Sequence, residues 1–144
     1  VHAVPLRGLA TAYARLGTRA ATGQEGPAAL VAAVRGHPFM VSGTGGLDTV
    51  VLEATGGRVF SKVGAEAAYG AVRLDTGEGL ALKVADGSAR ARGAALLALL
   101  RALGWLDEAE LEAVMPAATS EVRGGGEPVG MVRPATVELE ALDG

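Results

Sequence analysis

Near Gly56-Gly57 the spacing of apolar residues changes from a helical period to a strand period, and that change limits the folds open to this chain. Upstream, Leu6, Leu9, Tyr13 and Leu16 recur at intervals of three and four, which predicts a helix from Pro5 to Leu16 stopped by Gly17. Thr18 to Gly26 reads as a polar loop. Pro27 suits a first helical position, and Leu30, Val31 and Val34 give the next helix its apolar face until Gly36 and Pro38. Ser42-Gly43-Thr44-Gly45-Gly46 reads as a flexible loop, followed by a short helix from Leu47 to Ala54. Downstream the period becomes two, and Arg58–Lys62, Tyr69–Leu74 and Leu80–Ala85 read as strands, the last two joined through Asp75-Thr76-Gly77-Glu78-Gly79. Ser88 can cap a helix from Ala89 to Leu103 with Leu96, Leu99, Leu100 and Leu103 as its buried stripe. Asp107 and Glu110 are spaced as a capping box for a further helix ending at Pro116. Gly124-Gly125-Gly126 is a loop, and Val129–Val132 a last strand. The expected class is mixed α/β of the α+β kind. It has an antiparallel sheet of three to four strands, a long C-terminal helix packed on it, and helices before it. No repeat or linker divides the chain, so 1–144 is one unit, helical over 1–57 and sheet plus helices over 58–144.

Composition removes several classes of function. No uncharged run approaches the ~20 apolar residues of a membrane span, so no membrane partner is expected. With a net charge of −3 and signs well mixed there is no basic stripe for a phosphate backbone, and nucleic acid is not an expected partner. There is no cysteine for a disulfide or a thiolate metal site. The first residues lack the charged and apolar regions of a signal peptide, which points to the cytoplasm. A mean hydropathy of +0.31 is high for a small independent domain. Together with an opening on Val1 and no capping signal, it suggests the C-terminal part of something longer. On that reading, surface that packs against a missing N-terminal half or a second copy is exposed, and a homo-oligomer is expected.

Positive charge comes from eleven arginines and only two lysines, Lys62 and Lys83. Lysine can be brought to a neutral amine by burial, whereas arginine stays charged. Lys62 ends the first strand in Val59-Phe60-Ser61-Lys62-Val63-Gly64, where apolar residues on both faces predict a buried strand and a partly desolvated amine. Such an amine could accept a proton from a serine hydroxyl; the plainer reading of the pattern is that Lys62 ends the strand and extends its head to water. Gly64, two residues on, would let a ligand approach the backbone closely. A Lys-x-Gly strand followed by two antiparallel strands and a long helix resembles the penicillin-binding and serine β-lactamase fold.

Three further segments carry a more specific resemblance. His37-Pro38-Phe39-Met40-Val41-Ser42-Gly43-Thr44-Gly45-Gly46-Leu47-Asp48-Thr49 is similar to the asparaginase II (rhizobial-type) signature His-Pro-x-Met-Val-Ala-Gly-x-Gly-Arg-x-Asp-Thr. Lys62-Val63-Gly64-Ala65-Glu66-Ala67-Ala68-Tyr69 resembles its Lys-x-Gly-Ala-Glu-Gly-x-Tyr, and Gly79–Gly87 its Gly-Ile-Ala-Leu-Lys-x-Glu-Asp-Gly. The likeness spans Pro5 to about Leu103. It implies hydrolysis of the asparagine side-chain amide by serine–lysine pairs on a β-lactamase-like fold. It also implies a zinc site, built from cysteine and aspartate, in an N-terminal half, with no metal ligands or cofactor in this chain. By that match Lys62 is the lysine that pairs with a serine supplied upstream, since no Ser-x-x-Lys occurs here. The chain departs from the pattern at Gly46, where arginine is usual, at Phe39, where glutamate is common, and at Ala67, where glycine is usual.

Asp48 could face a substrate amine or cap the helix it starts. Glu66 could hydrogen-bond at the site or be an exposed turn carboxylate, and the Ala65 N–H could help polarise a scissile carbonyl. His37 and Lys83 are read as structural. The Ser42–Gly46 loop lacks the Gly-Lys-Ser/Thr ending of a phosphate loop and reads as a substrate-side loop. Two functions follow. One is an amide hydrolase acting on a small molecule, inactive when reduced to this part. The other is a non-catalytic or small-molecule-binding module that keeps the fold.

Overall fold

A computed structural model describes residues 3–140. Four helices come first: α1 (Leu6–Ala21), α2 (Glu25–Gly36), the single-turn α3 (Phe39–Ser42) and α4 (Leu47–Ala54). Strands β1 (Val59–Val63), β2 (Ala68–Arg73) and β3 (Glu78–Lys83) form an antiparallel meander in the order β1-β2-β3, so β1 is an edge. Helices α5 (Ala89–Ala102) and α6 (Glu108–Ala118) follow, and β4 (Ser120–Gly124) pairs with β5 (Glu127–Val132) in a separate hairpin. The mixed α/β class is as expected.

The pleat sends alternate residues to two different cores. Val59, Tyr69, Ala71 and Leu82 face α4, α5 and α6, where they meet Leu96, Leu97, Leu100, Trp105, Leu111 and Val114. Phe60, Val72 and Leu74 face α1 and α2, against Tyr13, Leu16 and Val31. The sheet is therefore the middle of three layers. Its first strand is fastened to the far end of the larger core by Arg58. That guanidinium donates to the Trp105 carbonyl at 2.6 Å and to both oxygens of Glu110 at 2.7 and 2.6 Å. Glu110 also completes the expected capping box: its Oε2 accepts from the Asp107 N–H at 2.9 Å while Asp107 Oδ1 accepts from the Glu110 N–H at 2.8 Å. Ser88 caps α5 as expected, accepting from the Arg90 N–H at 3.3 Å.

Several details differ from the sequence reading, among them β3, which runs Glu78–Lys83 rather than Leu80–Ala85. Gly17 does not stop α1; it lies inside the helix, where an added Cβ would come within 2.8 Å of Val72 Cγ2, so glycine there serves close packing on the sheet. The stop is Gly23, at φ +78°, past the cap at Thr22. Pro27 lies in the first turn of α2 but not at its first position, which is Glu25. On α5 the buried leucines are 96, 97 and 100, whereas Leu103 is the helix cap and half-exposed, because α6 covers the flank next to Leu97. Pro116 sits inside α6, which continues to Ala118. Among the described residues no helix is long and apolar enough to cross a membrane.

Candidate active site

The edge strand β1 brings together residues that the sequence separates. Asp48 is the second residue of α4, whose cap is Gly46 without a side-chain bond; Asp48 is therefore not the cap. Its carboxylate is 1% exposed and faces β1, accepting from Ser61 Oγ at 2.8 Å and from the Val63 N–H at 3.2 Å. A buried carboxylate is tolerable only when so engaged, and its place in the first turn of a helix adds a favourable dipole. Lys62 lies on the opposite face of the strand, in register with Gly70, and its amine reaches Asp48 Oδ2 at 3.7 Å. The expected desolvation of Lys62 is not found. Its side chain is 44% exposed, because β1 is an edge with open space beyond it.

Ser61 was not a candidate in the sequence reading, yet it is fully buried and holds Asp48 in place. Its only sequence signal was period-two alternation, which sets a hydroxyl among apolar partners. Both tyrosines also belong here. Burial, and then the charge of Asp48, raises the Tyr13 phenol above its usual range. The Tyr13 ring occupies the room left by Gly70, where any Cβ would collide with it. Tyr69 is raised further. Burial acts first, then the charge and hydrogen bonding of Asp48, with Arg92 acting in the opposite sense.

After Lys62 the chain passes through Gly64, which is extended at φ −110°, and enters a tight turn. A Cβ on Gly64 would make only ordinary contact, 3.6 Å from Ala68, so neither backbone nor packing within the chain demands glycine there. In the turn, Glu66 (φ 55°) and Ala67 (φ 52°) both take left-handed conformations unusual for residues with side chains. The geometry is that of a primed hairpin turn, which suits the right-handed twist of the strands. Lys83 fastens it, donating to the carbonyls of Glu66 and, at 2.7 Å, Val84; this is a structural role, without an acidic partner among the described residues. The exposed Glu66 carboxylate lies against Gly87 of the β3–α5 turn. Ala65, at the head of the turn, follows Gly64 directly along the open edge of β1.

The glycine loop is less free than its composition suggests. It begins inside α3, and Ser42 and Thr49 clasp its ends: the Thr49 N–H donates to Ser42 Oγ at 3.0 Å and the Ser42 N–H to Thr49 Oγ1 at 3.2 Å. Gly46 is folded so tightly over Ser42 that a Cβ there would collide with the Ser42 carbonyl. Between this loop, Asp48, Tyr69 and the start of α5 lies a cleft of about 370 Å³, which Thr119 and Ser120 also line. As for the zinc site that the resemblance implies, the residues present do not fit one. There is no cysteine, and among the described residues no three His, Cys, Asp or Glu are grouped to hold a metal.

No curated protein matches the chain. The family model described as L-asparaginase II matches residues 1–134, extending past the three similar segments into the β4–β5 hairpin. The chain therefore belongs to the L-asparaginase II family.

Proposed function

We propose that this chain supplies the lysine side of an amide-hydrolase site, in which water is added across the C–N bond of an asparagine side-chain amide to give aspartate and ammonia. The observation that carries this reading is the Asp48–Lys62 pair at an open strand edge, followed by Gly64, whose lack of a side chain nothing among the described residues explains. The order β1, β2, β3, α5 supports the reading too, since it is the order that a Lys-x-Gly strand implies. In this scheme Asp48 and Ser61 are positioning residues that fix the reach of Lys62 from below. Once the serine-bearing segment covers the edge and shields Lys62 from water, the neutral amine takes the proton of the serine hydroxyl as that oxygen attacks the amide carbon, and returns it to the leaving ammonia. Water then cleaves the acyl-serine ester to release aspartate and restore the hydroxyl. The Ala65 N–H lies along the edge where a carbonyl oxygen gains charge. Gly64 borders the same edge and Asp48 closes it underneath, whereas Glu66 is turned toward Lys83 and Gly87 and is left out of the scheme. The serine itself is not in a Ser-x-x-Lys motif of these residues, so a segment bearing one has to meet the β1 edge.

The test is ammonia release from L-asparagine. The 144 residues alone should release none above buffer. In a polypeptide that joins this chain to a Ser-x-x-Lys segment, Lys62→Ala and Lys62→Arg should each lose about 10²–10⁴ in kcat, the usual weight of general acid–base catalysis. Arginine keeps the charge and cannot become neutral. A folded Lys62→Arg within a few-fold of wild type would remove Lys62 from that role.

A further inference from the structure

Five features of the cleft beside Asp48 point to a ligand that the lysine site does not account for. Arg92, in the first turn of α5, is half-buried on its wall and pairs with no carboxylate among the described residues. Arg90 lines the same wall. The Ser120 hydroxyl is buried in its lining without a hydrogen-bond partner, a costly condition for a polar group that water or a ligand would relieve. The loop wall offers no cation, since the collision over Ser42 forbids any side chain at Gly46 in this conformation, and the Asp48 carboxylate beside it is engaged by Ser61 and the Val63 N–H. Tyr69, 3% exposed, forms the floor, close enough for the charge of Arg92 to act on its phenol.

We propose that this cleft binds a small molecule through a carboxylate group, which Arg92 holds as principal cation while the Ser120 hydroxyl donates a hydrogen bond to it. A guanidinium presents two parallel donors to a carboxylate, and a partly desolvated one without an internal partner is poised for that contact. The volume of about 370 Å³ lies near the lower end of the range of small-molecule pockets, about 300–1,000 Å³, and suits a molecule of amino-acid size. Asp48 separates the cleft from Lys62, so a molecule anchored by its carboxylate at Arg92 could extend its other end toward the β1 edge. The identity of the ligand as asparagine rests on the amide-hydrolase reading; the carboxylate chemistry does not.

The experiment is a titration of the isotope-labelled chain followed by amide chemical shifts. The probes are L-asparagine, L-asparaginamide, in which the α-carboxylate is blocked, and succinate, which has carboxylates but no amide. Asparagine should move the signals of Gly46, Val63, Gly93 and Ser120, and asparaginamide should bind at least about tenfold more weakly. Arg92→Gln should lose about ten- to a hundredfold in affinity, the worth of a charge-assisted contact, while Arg101→Gln, elsewhere on α5, should bind as wild type does. Ser120→Ala removes only the unpartnered hydroxyl and should weaken binding several-fold, which keeps the test decisive if Arg92→Gln fails to fold. Unchanged affinity in folded Arg92→Gln, equal binding of asparaginamide, or shifts confined to other residues would overturn the proposal. So would no shift with any probe at about 10 mM, beyond the millimolar scale of weak binding. Binding of succinate but not asparagine at these residues would keep the carboxylate cleft and remove asparagine as the substrate.

Discussion

On one face of the sheet α1 lies so close that glycine is required beneath it, while on the other face α5 and α6 stand off on a thick layer of leucine, valine and tryptophan. Gly17 on the helix and Gly70 and Gly79 on the strands make the first approach possible. The second face needs bulk: Leu96, Leu97, Leu100, Trp105 and Val114 are all essentially buried. Polar chemistry gathers where neither kind of packing reaches, at the β1 edge and the neighbouring cleft. Asp48, Ser61 and Tyr69 lie on the α4–α6 side of that edge, while Tyr13 and Lys62 lie on the α1 side. One edge strand thus lets two differently built layers contribute to a single cluster.

Stability measurements can break that comparison most directly. Leu100→Ala opens a cavity in the thick layer and should cost about 2–5 kcal/mol. Gly79→Ala puts a methyl group against the Ala10 carbonyl and within 2.7 Å of the Ala14 nitrogen, so α1 must lift; a loss of about 1–3 kcal/mol is expected, typical of overpacking. Trp105 fluorescence reports the thick layer, and amide signals of α1 report the close one. If the shared sheet couples the layers, both probes should follow one urea transition in both variants. Separate transitions would show that the layers unfold independently.

Features written in local chemistry were legible in the sequence. The residues of α4, the capping box at Asp107 and Glu110, the Ser88 cap and the three-strand meander all follow from periodicity and polar spacing. What depends on a distant partner was not. Gly17 reads as a helix stop in sequence because its reason, Val72, lies 55 residues away. The face of α5 is displaced toward Leu97 by α6. Strand β4 was missed because Ser120–Gly124 has no strong alternation, and a register shift between Val122 and Arg123 interrupts its pairing with β5. Of the candidate site, the sequence singled out Asp48, Lys62 and the Gly64–Glu66 turn, but not Ser61, either tyrosine or Arg92. Hydroxyls among apolar residues look like ordinary strand or helix positions until tertiary structure sets a carboxylate beside them.

The two tyrosines sharpen the comparison, because one stands on each face and both feel Asp48. They are the only tyrosines in the chain, so absorbance near 295 nm reads them without interference. Both folded phenols are raised above the ordinary value of 10.0. A raised phenol holds its proton more tightly in the folded than in the unfolded state, so its contribution to stability is complete below pH about 10. That contribution is lost as pH climbs toward the folded value. Little phenolate should therefore form at pH 10 in folded protein, and stability should fall above it. Tyr69→Phe should remove more of that fall than Tyr13→Phe, because Tyr69 is shifted further. Ordinary titration of both tyrosines near pH 10, with the fold intact, would contradict their burial beside the carboxylate.

The smallest expected effect concerns the turn that joins β1 to β2. Ala67 sits at φ 52°, a left-handed conformation that costs a residue with a Cβ about 1–2 kcal/mol relative to the right-handed helical one. Glycine has no such penalty, but it loses more backbone freedom on folding, by roughly 0.5–1 kcal/mol. Ala67 is also 2% exposed, so removing its methyl group gives up some apolar burial. These opposing effects leave a net gain for Ala67→Gly of at most about 1 kcal/mol, and the sign rests on the strain being real. Glu66 provides the contrast within the same turn. It is left-handed as well but exposed, so Glu66→Gly removes strain without losing buried surface and should stabilise at least as much as Ala67→Gly. Thermal unfolding of the two single variants and the double variant checks this, with a rise in Tm of a few degrees expected in each. Loss of stability in both single variants would mean that the turn is not left-handed in solution. The Lys83 contacts that fasten it to β3 would then need another geometry.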